Sequence, residues 1–150
     1  MDIVRLSTET ARRITTWRYP PPYDLYNLDD TPSSIVELTG GDYYAAFDAS
    51  GDLIGYFCFG ESARVVCPES NQYYRDGAFI DIGLGLRPDL TGEGRGADFV
   101  ACGLEFGRRV LAPKRSFRLS VATFNLRAVS VYQRLGFKSI GRRNYPEIRD

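Results

Sequence analysis

Residues 79–96 read FIDIGLGLRPDLTGEGRG, and this stretch decides the fold. Phe79–Leu86 has the alternation and side-chain types of a strand, and an apolar-periodic helix follows, running roughly from Gly94 to Leu111. Ala97, Val100, Ala101, Leu104 and Leu111 supply its apolar positions, and Pro113 marks its stop. Between the two elements, Gly92, Gly94 and Gly96 can turn tightly and let backbone N–H groups approach an anion with no side chain between. The first turn of the helix adds unpaired N–H donors and a partial positive charge. A strand, a glycine turn and a helix start make a place to hold a phosphate or pyrophosphate. The same arrangement also serves as a plain connection.

Two better-known phosphate loops do not match. No Lys-Ser or Lys-Thr pair follows the last glycine, as a P-loop requires. A dinucleotide fingerprint spaces its glycines differently and needs a full doubly wound sheet, for which too little chain remains.

The second half adds a strand reading over Ser116–Phe124 (SFRLSVATF), then Asn125–Phe137 (NLRAVSVYQRLGF) and a further short strand. With these residues in view the chain resembles the GNAT superfamily of acyl-CoA-dependent N-acetyltransferases. Thr91–Gly96 is similar to that family's pyrophosphate loop, and Asn125, Ala128, Tyr132 and Leu135-Gly136-Phe137 are similar to its second motif. The likeness is strong over Ala78–Arg143 and compatible before it. One position departs: Thr91 stands where Arg or Gln is usual, so the backbone rather than this side chain is expected to form the cradle.

The resemblance implies an α/β fold in one domain over residues 1–150. Its sheet is mixed and mostly antiparallel, with six or seven strands, flanking helices and a central parallel pair splayed at a cleft. It also implies acetyl-CoA as donor, held by Thr91, Gly92, Glu93, Gly94, Arg95, Gly96 and Ala97. The pantetheine arm is then expected along the main chain of Leu84 and Leu86. Asn125 reads as the N-cap of a helix over Leu126–Leu135, with Gly136 just past its end; the resemblance adds a bond from its side chain to pantetheine.

Transfer of an acetyl group from a thioester to an amine expels a thiolate, and a phenol nearby can donate a proton to it. Tyr132, in Asn-x-x-Ala-x-x-x-Tyr, is the expected general acid; a core tyrosine is the plainer reading. The amine must lose a proton. Asp81 is the preferred base, with Glu61 or water as alternatives. On the strand Phe79–Leu86, Ile80, Ile82, Leu84 and Leu86 share the core face, leaving Phe79, Asp81, Gly83 and Gly85 on the other. Two glycines there imply that something comes close, either the pantetheine arm or a large aromatic side chain.

Composition agrees with one small enzyme domain. The 150 residues are 43% hydrophobic, enough for a real core, and formal net charge is zero. Bulk attraction to nucleic acid or to a membrane is therefore not expected. Residues 1–60 nevertheless carry nine acidic and four basic side chains, whereas residues 113–150 carry nine basic and two acidic. This can be ordinary surface, or a basic side for phosphates facing an acidic side for an amine. With no histidine, and with Cys58, Cys67 and Cys102 unpaired in spacing, no metal site and no histidine-based triad is expected. Cys58 and Cys102 read as core thiols. No secretory or membrane-length apolar run is present, which fits a cytoplasmic protein; a homodimer is compatible with it.

Elsewhere, Asp2–Leu6 reads as a strand and Thr8–Trp17 as a helix capped by Thr8. Ser33–Thr39 reads as a short helix, and Tyr43–Asp48 with Leu53–Glu61 as a hairpin around Ala49-Ser50-Gly51. Arg18–Thr31 is irregular with one helical turn. Arg18–Asp30 and the loop Val66–Gly77 are expected to build the acceptor pocket. Trp17, Tyr19, Tyr23, Tyr26, Tyr73 and Tyr74 could form an aromatic wall there, and Asp24, Asp29 and Asp30 could attract a cation. The reading is an N-acetyltransferase acting on a primary amine or a peptide amine by direct transfer. The alternatives are a non-catalytic acyl-CoA-binding module and, third, a nucleotide-binding protein.

Overall fold

Backbone geometry at a few residues sets the sheet. Asp48 accepts from the N–H groups of Ser50 (2.9 Å) and Asp52 (3.0 Å). Gly51 takes φ +82°, which only glycine adopts without strain. The result is a hairpin between β2 (Tyr43–Phe47) and β3 (Leu53–Phe59). A computed structural model describes residues 1–64, 77–111 and 116–141. Its remaining strands are β1 (Asp2–Arg5), β4 (Phe79–Leu86) and β5 (Ser116–Arg118). The sheet order is β1-β2-β3-β4-β5, antiparallel throughout except for the parallel pair β4–β5.

Five strands are therefore present among the described residues, where six or seven were expected. The difference lies at the C-terminal side. Of Ser116–Phe124 only Ser116–Arg118 pairs with β4; Leu119, Ser120 and Val121 turn instead to line a cleft. No strand follows Phe137 within the described residues. The expected loop at 66–76 and the stop at Pro113 lie outside them.

Among the described residues four helices flank the sheet: α1 (Thr8–Ile14), α2 (Pro32–Gly40), α3 (Gly96–Val110) and α4 (Leu126–Arg134). Ser7, not Thr8, caps α1, accepting from the Thr10 N–H at 3.1 Å. One core forms where α1 and α2 meet Tyr43, Ala45, Leu53 and Cys58. The other lies where α3 covers Tyr44, Phe57, Phe59 and Ile82, with Val131, Tyr132 and Leu135 of the α4 region packed on it. Among the described residues no helix is long and apolar enough to cross a membrane.

The apolar stripe of α3 differs from the expected one. Val100 and Leu104 are buried as expected, but Ala101 is exposed, and Phe99, Gly103, Phe106 and Gly107 complete the buried face. Counting glycines as neutral hid that face. A Cβ added at Gly103 would stand 2.6 Å from Phe57 Cδ1, and one at Gly55 would stand 2.7 Å from Phe99 Cε2. Phe57 and Phe99 themselves stack at 4.5 Å. Missing side chains thus let two rings fill the space between helix and sheet, and this packs α3 closely on β3.

A test follows from these distances. Gly103→Ala should gain ~1 kcal/mol of helix propensity, but overpacking against the fully buried Phe57 ring costs ~1–3 kcal/mol. A net loss of about 1 kcal/mol in urea denaturation is expected. A gain would show that the ring can move aside.

Candidate active site

The parallel pair β4–β5 ends at Asp81↔Arg118. Beyond it β4 continues to Leu86 while the other chain diverges, and a cavity of about 650 Å³ opens between them. The Arg87 N–H donates to Ile54 O on β3 at 2.8 Å. By strand alternation, the main-chain groups of Leu86 and Leu84 then face the other way, into the splay. The Leu86 carbonyl already accepts from the Tyr19 hydroxyl at 2.7 Å.

The glycine turn closes one end of this cavity. Gly92 and Gly94 take φ of +76° and +78°, and Thr91, Gly92, Gly94, Gly96 and Ala97 all line the space. A Cβ at Gly94 would meet nothing within 4 Å, so this backbone is open to a ligand. Helix α3 starts at Gly96 with no side-chain cap from Arg95, which leaves its first N–H groups for an anion. The Thr91 hydroxyl donates to Pro88 O at 2.7 Å and is committed to the turn. Glu93 and Arg95 are exposed and do not line the cavity.

Helix α4 forms the opposite wall. Asn125 caps it, accepting from the Ala128 N–H at 3.2 Å, while its Nδ2 donates to the Tyr26 hydroxyl at 3.2 Å. Gly136 follows the helix with φ +99°. Two turns into α4, Tyr132 lines the same cavity, its ring edge-on to Phe137 at 5.8 Å. Burial, helped by the nearby Tyr26, pushes its phenol up to about 12. It therefore stays protonated at neutral pH.

The irregular segment before α2 covers the remaining side. Its helical turn falls at Tyr23–Tyr26, and Tyr19, Tyr23, Leu25, Tyr26 and Leu28 line the cavity. Trp17 does not; it packs against Tyr56 at 6.3 Å. Tyr73 and Tyr74 lie outside the described residues. Lining residues that the sequence reading missed include Tyr56, whose side chain crosses from β3, and Arg127, near the start of α4. Position beside the Asn125 cap was the available signal for Arg127.

The carboxylates do not go where the sequence reading put them. Asp81 is only 3% exposed. Its Oδ1 accepts from Arg118 Nε at 2.8 Å, and its Oδ2 accepts from Arg118 Nη2 and Arg64 Nε, both at 3.1 Å. A carboxylate so engaged ties β4 to β5 and to the turn after β3, and it does not line the cavity. Glu61 is exposed in the turn Gly60–Ala63 and does not line it either. Nor do Asp24, Asp29 and Asp30; Asp30 accepts from the Thr15 hydroxyl at 3.3 Å. Among the described residues no carboxylate lines the cavity.

The glycines of β4 are also explained by protein. A Cβ at Gly83 would stand 2.7 Å from Cys58 Sγ, and one at Gly85 2.6 Å from Tyr56 Cζ. Side chains of β3 fill that face, so of the two expected neighbours it is a large aromatic, Tyr56, that comes close at Gly85, with Cys58 at Gly83. Cys58 is buried, and burial pushes its thiol up to about 12, which makes it inert as a nucleophile at neutral pH. Cys102 is half-buried rather than core.

No family model matches the chain, and no curated protein matches it significantly. Solved structures do. A chimera of the Vibrio cholerae spermidine N-acetyltransferase SpeG and hSSAT superposes with a TM-score of 0.66 at 19% identity, over 94% of this chain and 82% of that one. The dodecameric Vibrio cholerae spermidine N-acetyltransferase gives 0.62 at 19% identity, over 93% and 80%. The aminoglycoside acetyltransferase AAC(6')-Ib in complex with coenzyme A gives 0.71 at 18% identity, over 97% and 89%. The chain shares the fold of these acetyltransferases.

Proposed function

We propose that the chain is an acyl-CoA-dependent N-acyltransferase that moves an acetyl group from acetyl-CoA to an amine. The observation that carries this reading is a conjunction. The open glycine turn, the uncapped start of α3, the splayed edge of β4 and Tyr132 all border one cavity. An aminoglycoside acetyltransferase with the same fold is known with coenzyme A bound, and another protein of that fold is a spermidine N-acetyltransferase. The residues fit such a donor. Gly94 has free space where a side chain would stand, and the exposed main chain of Leu84 offers strand-like pairing to an amide-containing arm.

Acetyl-CoA supplies an activated acyl carbon as a thioester and leaves as the free thiol. The chain's task is to hold the pyrophosphate on the backbone of residues 92–97 and the arm along Leu84 and Leu86. Asn125 is available to the arm once Tyr26 releases its amide. The Tyr132 hydroxyl holds a proton for the sulfur. In the balanced reaction the amine nitrogen bonds to the acyl carbon, the C–S bond breaks, the amine loses one proton and the thiolate gains one. Since the described cavity wall has no carboxylate, the acceptor enters as free amine or gives its proton to water. Asp81 we assign to holding the parallel pair together.

Gly94→Val tests the donor site. A β-branched residue at φ +78° is strained and puts its methyl groups where the phosphates are to lie. Calorimetric titration of the folded variant with acetyl-CoA should show at least about tenfold weaker binding, the cost of one charge-assisted hydrogen bond. Unchanged affinity would remove the pyrophosphate assignment.

A further inference from the structure

The glycine turn faces a cation that comes from across the cleft. A Cβ placed on Gly92 would stand 2.7 Å from Arg127 Nη1. The guanidinium of Arg127 also lies over the Tyr23 ring, 4.3 Å from its centroid. Both contacts hold at once because a guanidinium is flat: stacking uses its face and leaves the N–H edge free. Here one nitrogen of that edge reaches the mouth of the turn. Thr91 cannot take this part, since its hydroxyl is spent on Pro88, and Arg95 does not line the cavity. Arg134 does, but it lies two helical turns further along α4, ~10 Å away. No ion pair is recorded for Arg127 among the described residues.

We propose that Arg127 is the side-chain cation that binds the donor's pyrophosphate, and that Tyr23 is a positioning residue that holds its guanidinium edge toward the Gly92 turn. The proposal rests on the acyl-CoA reading. It adds a side chain to what is otherwise a backbone cradle. It also links the donor end of the cavity to the aromatic segment around Tyr23, which packs in turn on Phe124 at 6.0 Å.

Calorimetry with coenzyme A on four proteins tests it: wild type, Arg127→Gln, Tyr23→Leu and the double variant. Arg127→Gln should weaken binding about tenfold and flatten its dependence on salt, as loss of one exposed phosphate contact implies. Tyr23→Leu should weaken binding about threefold, the scale of an exposed stacking contact. It should have no further effect in the Arg127→Gln background, because it acts only through that side chain. The same losses are expected with 3′-dephospho-coenzyme A, which keeps the pyrophosphate. A loss that vanishes with this probe would overturn the placement, and additive effects of the two substitutions would overturn the role of Tyr23. If wild type binds coenzyme A and Arg127→Gln binds it equally well, this inference alone fails. If wild type binds none, the acyl-CoA reading fails first.

Discussion

Tyr132→Phe is expected to lower turnover with acetyl-CoA and an amine acceptor by ~10²–10⁴-fold, the usual span for loss of a general acid. One hydroxyl is removed and little volume, and the ring contact with Phe137 is retained. No hydrogen bond from this hydroxyl to the described residues needs replacing, so stability and donor affinity should hold. Burial acts on the phenol in two ways. Pushed up to about 12, it keeps its proton through the neutral range, and it is a weaker acid than a free phenol. The proton is therefore best given as the C–S bond breaks, with the amine's proton making up the loss. Because the phenol does not ionise below its ordinary value, the alkaline fall in kcat should begin only above pH ~10. Full turnover in the phenylalanine variant would make Tyr132 a packing residue.

Asp81→Asn should be the most damaging of these changes to stability. Arg118 is 8% exposed, and its guanidinium donates two bonds to Asp81, with Arg64 adding a third. Removing the negative charge breaks up a buried, doubly hydrogen-bonded ion pair, a loss of ~3–5 kcal/mol. Urea denaturation should show that loss, while activity per folded molecule and its pH profile stay near wild type. The opposite pattern would return Asp81 to the role of base: unchanged stability, with a rate depressed mainly at low pH where the acceptor is protonated.

Features of this fold that lie in local sequence were legible. The alternation of Phe79–Leu86, the glycine turn, the Asn125 cap and the Gly136 stop all depend on neighbours within a few residues. So does the hairpin at Gly51. What failed depends on which side chain crosses to which strand. Nothing local says that Asp81 has Arg118 beside it in register, 37 residues away. Nor does it say that Tyr56 and Cys58 sit over Gly85 and Gly83. The glycine face looked empty because its occupants come from β3. Arg127 was passed over for the same reason: its partners, Gly92 and Tyr23, are distant in sequence and meet only across the cleft.

Release of free thiol from acetyl-CoA, followed across a panel of amines with the acetylated products weighed by mass spectrometry, tests the central claim most directly. Thiol release that depends on at least one amine is expected, with one acetylated product per thiol and collapse of that rate in Tyr132→Phe. Tight coenzyme A binding with no amine-dependent release from any acceptor would contradict it and mark the chain as an acyl-CoA-binding module.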